Sequence, residues 1–230
     1  MNDSLLYLVP AIVFAGSYLS TVAGMGGGLL ILATCSQIMP IATVIPLNGV
    51  FVFAGQLTRV FQFYRYINWQ ITAPFIPGSV IGAALGTVIY FRLSETAIAL
   101  MLGTVMLWFS WVPSSPASRQ IAEKIPAPYF FVGIFHTFMS TVSGAGGLLQ
   151  SLMVNSPMKK ERIVATIAGT LLAMSLFKTV GYFLAGFDYR NWLAIILLSW
   201  ITGVAGTTAG KYSLNKMPDI FFRRLIKTMV

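Results

Sequence analysis

Ser20-Thr21-Val22-Ala23-Gly24-Met25-Gly26-Gly27 returns as Ser140-Thr141-Val142-Ser143-Gly144-Ala145-Gly146-Gly147, with six of the eight positions identical at an offset of 120 residues. Gly28 lengthens the first glycine run. Both copies sit in long apolar stretches, where each glycine weakens a helix by about 1 kcal/mol relative to alanine. In lipid, a broken helix survives only where protein, water or a ligand satisfies the N–H groups it frees. A break followed by a fresh helical turn gathers those N–H groups and the positive end of the helix dipole in one place, which is the chemistry of anion binding. Gly24, Gly26, Gly27 and Gly28, with Gly144, Gly146 and Gly147, let a ligand approach the backbone, and Ser20, Thr21, Ser140, Thr141 and Ser143 add hydroxyl donors. Close helix packing through small residues is the alternative use of such a motif. It is the use expected of Gly82/Gly86 and Gly206/Gly210, which are spaced like GxxxG.

Two cations, Arg59 and Lys178, lie inside apolar segments. A Lys or Arg within a span costs at least about 2.5–3.5 kcal/mol on insertion scales, so it faces a cavity or a partner. Arg59 is near enough to one end of its segment to snorkel, whereas Lys178 sits deeper. Both complement an anion, and Asn48, Gln56 and Gln62 on the segment of Arg59 extend a polar wall. The single histidine, His136, precedes the second motif by four residues and is either a proton relay or a hydrogen-bonded packing residue. The acids Asp3, Glu95, Glu123, Glu161, Asp188 and Asp219 all fall at segment ends or in loops. Proton- and sodium-coupled carriers usually keep an intramembrane acid, and this chain offers none. An inside-negative potential, by contrast, favours anion exit by about 2.3 kcal/mol per charge per 100 mV.

The elements that must hold these residues are membrane segments. Of 230 residues, 57% are hydrophobic and 9% charged, against about 25% charged in a soluble domain. The apolar stretches are too long for barrel strands and lack their alternation. The net charge of +9 fits cytoplasmic loops rather than nucleic acid, since no basic cluster carries interleaved aromatics. The lone Cys35 forms no disulfide within the chain and reads as a small buried residue. The N-terminal stretch, with Asp3 and no Lys or Arg, is read as the first membrane segment rather than a signal peptide. No metal-ligand cluster, nucleotide loop or nucleophile–base pair suggests an enzyme.

Charge, proline and turn residues bound eight segments: 5–38, 42–63, 71–91, 94–112, 128–154, 163–185, 192–210 and the short basic 218–230. The glycine runs divide the first and fifth. The expected fold is all-α: a polytopic helical membrane protein built from two four-segment repeats, 1–112 and 127–230, joined by a linker at 113–126, with a Gly-broken helix opening each repeat. An even number of true spans makes the repeats parallel, and re-entrant hairpins change that parity. With one crossing per long segment and an outside N-terminus, nine Lys and Arg lie inside and four outside. The last segment then ends inside as an interfacial helix.

The two motif copies, the Gly82/Gly86 and Gly206/Gly210 pairs and the four-segment duplication together resemble the sulfite exporter TauE/SafE family, also called the 4-toluene sulfonate uptake permease family, over nearly the whole chain. That resemblance implies a permease for sulfite, sulfonates and related sulfur-containing anions, in a bacterial inner membrane. The expected function is therefore a secondary transporter or facilitator of a small sulfur-containing anion, with export favoured. Its expected partners are that anion and the lipid bilayer, with no cofactor, metal or nucleic acid and with pairing into a homodimer left open. The alternative is a membrane assembly subunit without its own substrate.

Overall fold

In a computed structural model the chain is described at residues 3–111, 128–154 and 156–228, and the linker expected at 113–126 lies outside them. Among the described residues all regular structure is helical. After a single turn at Asp3–Leu6 come α1 (Val9–Val22), α2 (Gly27–Cys35), α3 (Ile41–Phe63), α4 (Trp69–Tyr90) and α5 (Glu95–Trp111). Then follow α6 (Pro128–Ser143), α7 (Leu148–Val154), α8 (Lys160–Leu184), α9 (Leu193–Lys216) and α10 (Asp219–Thr228). Four helical stretches, containing α3, α4, α8 and α9, are long and apolar enough to cross a membrane. The 17 residues of α5 reach about 26 Å, close to the core thickness of about 30 Å.

The glycine breaks do more than kink. A Cβ at Gly16 would stand 2.7 Å from the Ile31 side chain, and one at Gly27 would overlap the Gly16 carbonyl. The chain therefore doubles back after Val22, and α2 descends along α1. In the same way Gly146 lies against His136, and Leu149 donates its N–H to His136 Nδ1, so α7 returns towards α6. Gly24 and Gly144, 120 residues apart, hold the same left-handed backbone, φ 77° and 76°, in the two reversals. A residue with a Cβ is strained there.

Close packing fixes the direction of the other helices. Gly78 meets Phe130, Gly82 meets Ile134 and Gly86 meets Thr141, so α4 and α6 run parallel with their backbones nearly touching. Gly206 meets Phe14 and Gly210 meets Thr21, so α9 runs parallel to α1. Gly49 abuts Lys178 and Thr179 near the opposite end of α8, which makes α3 and α8 antiparallel. Thus α1, α3 and α9 point one way, and α4, α6 and α8 the other. The glycines at 82, 86, 206 and 210 are interhelical contacts, as a GxxxG spacing permits.

The hairpins change which end of the bundle the expected crossings reach. Among the described residues, Arg65, Lys159, Lys160, Arg162, Lys211, Lys216, Arg223 and Arg224 gather at the end carrying α10, while Arg92 and Arg190 lie at the other. Counting each long segment as one crossing places Arg65 outside and Arg92 inside; the hairpins exchange them, so Arg65 joins the basic end and Arg92 lies at the opposite one. There α10 buries Phe222 and Ile226 against the α8 start, and Arg223 donates to the carbonyls of Ser156 and Met158.

Candidate functional site

Two apolar clusters, one containing Val9, Val44 and Tyr90 and the other Phe63, Ile163 and Phe222, fill opposite ends of the bundle. Between them lies a cavity of about 400 Å³. Its wall is built from both reversals. Gly26, Gly27 and Gly28 come from the first, and Gly144, Gly146 and Gly147 from the second. Ser20, Ser140, Arg59 and Lys178 meet there too, as do Asn48 and Gln56 of the expected polar wall, whereas Gln62 does not line the cavity and donates to Thr208 Oγ1.

The two cations occupy matching places. Arg59 Nη1 donates to the Ser20 carbonyl at 3.0 Å, and Lys178 Nζ donates to Ser140 Oγ at 3.5 Å. Each therefore rests on the first serine of the motif in its own half of the chain. Each is only 2% exposed, so neither charge is left to bulk water. Among the described residues neither has a carboxylate partner; the ion pairs join Lys160 to Glu161 and Asp219 at the basic end. Buried charges without counterions are expensive, and a negatively charged ligand is the kind of partner that would compensate them.

The cations are not equally committed. Ser20 lies in the last turn of α1, where carbonyls lack helical donors, and Arg59 fulfils that need. At the end of α6 the corresponding duty falls to Tyr182, whose hydroxyl donates to the Thr141 carbonyl. Lys178 is thus freer to address a ligand. Its stem passes Gly49, where a Cβ would stand 2.8 Å from Cε.

The two hairpins also differ at their helix starts. Gly26 begins α2 with no side-chain cap, and the first helical bond runs from Leu30 N–H to Gly26 O. The N–H groups of Gly27, Gly28 and Leu29 therefore have no acceptor within the helix, and all three residues line the cavity. At α7 the first helical bond runs from Ser151 N–H to Gly147 O, and of the three N–H groups before it His136 takes that of Leu149.

Five predicted residues stand behind the wall. Thr21 and Thr141 return their hydroxyls to the carbonyls of Ser17 and Thr137, one turn back. Their side chains pack against Gly210 and Gly86. Ser143 binds Met139 O and Ala145 O within its own turn. Gly24 faces Val164, Ile167 and Phe222. His136 lies between α6 and the second tip, with its ring edge-on to Phe75.

Ser17, Gln150 and Ser175 line the cavity and were missed by sequence reasoning. Gln150 Oε1, Ser175 Oγ, Asn48 Oδ1 and Gln56 Oε1 are buried and make no hydrogen bond to protein. A signal existed for Ser175: like Gln56, it precedes a buried cation by three residues and shares its helix face. Among the described residues no cluster of His, Cys, Asp or Glu could hold a metal ion. Cations, hydroxyls, amides and free N–H groups line the cavity, with Met25, Val52, Leu171 and Met174 supplying apolar wall.

The family described as sulfite exporter TauE/SafE matches residues 8–230. The chain is also similar to a curated protein of Cupriavidus necator named "Probable sulfite/organosulfonate exporter TauE". The two are 25% identical over 177 residues, covering 74% of this chain and 69% of that relative. No solved structure matches.

Proposed function

We propose, since the chain belongs to the sulfite exporter TauE/SafE family, that it is a secondary transporter whose cavity carries a small sulfur-containing anion, sulfite or a sulfonate, with export the favoured direction. The observation that carries this reading is the pair of buried cations, Arg59 and Lys178, set without carboxylate partners on a cavity walled by both glycine reversals. The helix start at Gly27 adds N–H groups and a positive dipole end. The absence of acids among the lining residues fits an anion moved by its own charge. The similarity to an exporter by name supports the substrate class and direction.

Two duplicated halves, 1–112 and 127–230, with inverted direction supply the two access states. The opposed directions of α1 and α6, of α3 and α8, and of α4 and α9 support this, as does the repeated reversal. The basic end of the bundle is cytoplasmic in a bacterial inner membrane, because positive residues concentrate there. A substrate-free assembly subunit is disfavoured, having no use for two uncompensated buried cations.

The test is ligand-dependent stability of the purified protein. Sulfite or ethanesulfonate at about 100 times its Kd should stabilise the fold by about 2.7 kcal/mol, over chloride at equal ionic strength. Identical melting in sulfite, ethanesulfonate and chloride would count against an anion site here.

A further inference from the structure

We propose that His136 is a positioning residue, whose imidazole supports the second glycine reversal and accepts the second N–H of α7, so fixing the backbone wall that Gly146 and Gly147 give the cavity. The inference rests on the anion-transport reading of the cavity, and it gives the second tip a side-chain support that the first does without.

The observation behind it is a break in the internal likeness. The residue 120 positions before His136 is Gly16. In the first hairpin Gly16 has no side chain, and the Gly27 backbone rests directly on its carbonyl. The start of α2 is thereby seated against α1 without an intermediary. In the second hairpin Gly146, the counterpart of Gly26, lies against His136. A Cβ at Gly146 would stand 3.1 Å from His136 Cε1, 3.2 Å from Nε2 and 3.3 Å from the His136 carbonyl oxygen, so the ring and backbone of His136 together form the floor on which this reversal sits. Phe75, with ring centroids 5.9 Å apart, braces the imidazole from α4. His136 is 1% exposed and does not line the cavity, while Gly146, resting on it, does.

The ring also has a polar task. Leu149 N–H donates to Nδ1 at 3.4 Å. An accepting Nδ1 leaves the ring proton on Nε2, which has no protein partner. His136 therefore uses one nitrogen as a helix cap from a distance of thirteen residues. The first N–H groups of a helix otherwise seek an acceptor. In α7, where the first helical bond runs from Ser151 N–H to Gly147 O, His136 answers Leu149, while the N–H groups of Leu148 and Gln150, like those of Gly27, Gly28 and Leu29 in α2, find no acceptor within their helix. His136 thereby holds the second reversal, whose Gly146 and Gly147 line the cavity, against α6.

The experiment compares His136→Asn, His136→Gln and His136→Leu in the full-length purified protein. The Asn carbonyl oxygen reaches the place of Nδ1, and the Gln carbonyl reaches that of Nε2 instead. Hydrogen exchange read by mass spectrometry should show the Leu149 amide opening at least tenfold faster in Leu and Gln, and near the wild-type rate in Asn. In sulfite efflux, Leu and Gln should raise KM about tenfold with kcat within about twofold, and Asn should restore KM. Unchanged exchange at Leu149 in all three variants would overturn the proposal. So would an Asn variant as impaired as Leu, the outcome expected of a proton relay. If the wild-type protein moves no sulfite, the transport reading fails, while the exchange pattern still decides the role of His136.

Discussion

Replacing Lys178 by methionine should separate stability from binding in opposite directions. The ammonium is buried, its nearest described polar partner is Ser140 Oγ at 3.5 Å, and no carboxylate compensates it. Exchanging buried ionic groups for packed apolar ones is often neutral or stabilising by about 1–4 kcal/mol. The anion loses a partner in the same exchange. At about 4 Å and an effective dielectric constant of about 20, a unit pair is worth roughly 4 kcal/mol. Arg59, Ser140 and the start of α2 remain, so a net loss of about 2–3 kcal/mol is expected, or roughly 30–150-fold in Kd. Thermal unfolding of purified protein across a sulfite titration reads both effects. Unliganded Lys178→Met should melt at or above the wild-type temperature and require that much more anion for equal stabilisation. A variant that melts well below wild type yet keeps wild-type anion affinity would refute the reasoning, making Lys178 a packing element.

Gly27→Ala should prevent the first hairpin from closing, because its Cβ would overlap the Gly16 carbonyl, and the yield of monodisperse protein should collapse. Gly28→Ala, whose Cβ would meet nothing nearer than Val52 at 4.0 Å, should fold normally while weakening transport from a cavity-lining position. Arg223→Gln removes a guanidinium fork from the Ser156 and Met158 carbonyls, bonds of about 1.5–3 kcal/mol each, so α10 should become markedly more sensitive to limited proteolysis. For orientation, a cysteine placed at Lys216 should react with impermeant maleimide only from the cytoplasmic side, and one at Arg190 only from the outside; the reverse pattern would invert the bundle.

Much of this was legible in the chain. The apolar runs gave helix positions to within a few residues, the glycine runs marked the breaks, and Arg59 and Lys178 stood out because charge in an apolar segment needs a reason. The reversals were harder to read. A glycine run says that a helix breaks but not whether the chain bends or returns; contact between Gly16 and Gly27, eleven residues apart, decides it. The hydroxyls of Thr21 and Thr141 were expected at the ligand because composition does not reveal the carbonyl one turn back that captures them. Ser17, Gln150 and Ser175 escaped notice because single polar residues on apolar helices are common, and only the assembled wall gathers them.

The central claim is that an anion passes through this cavity on its two buried cations. Efflux of labelled sulfite from proteoliposomes, with and without an imposed inside-negative potential, tests it most directly. Efflux from wild type should accelerate with potential, consistent with about 2.3 kcal/mol per charge per 100 mV, and should be largely abolished in folded Lys178→Met. Efflux at equal rates in both proteins, or none in folded wild type under either condition, would contradict it.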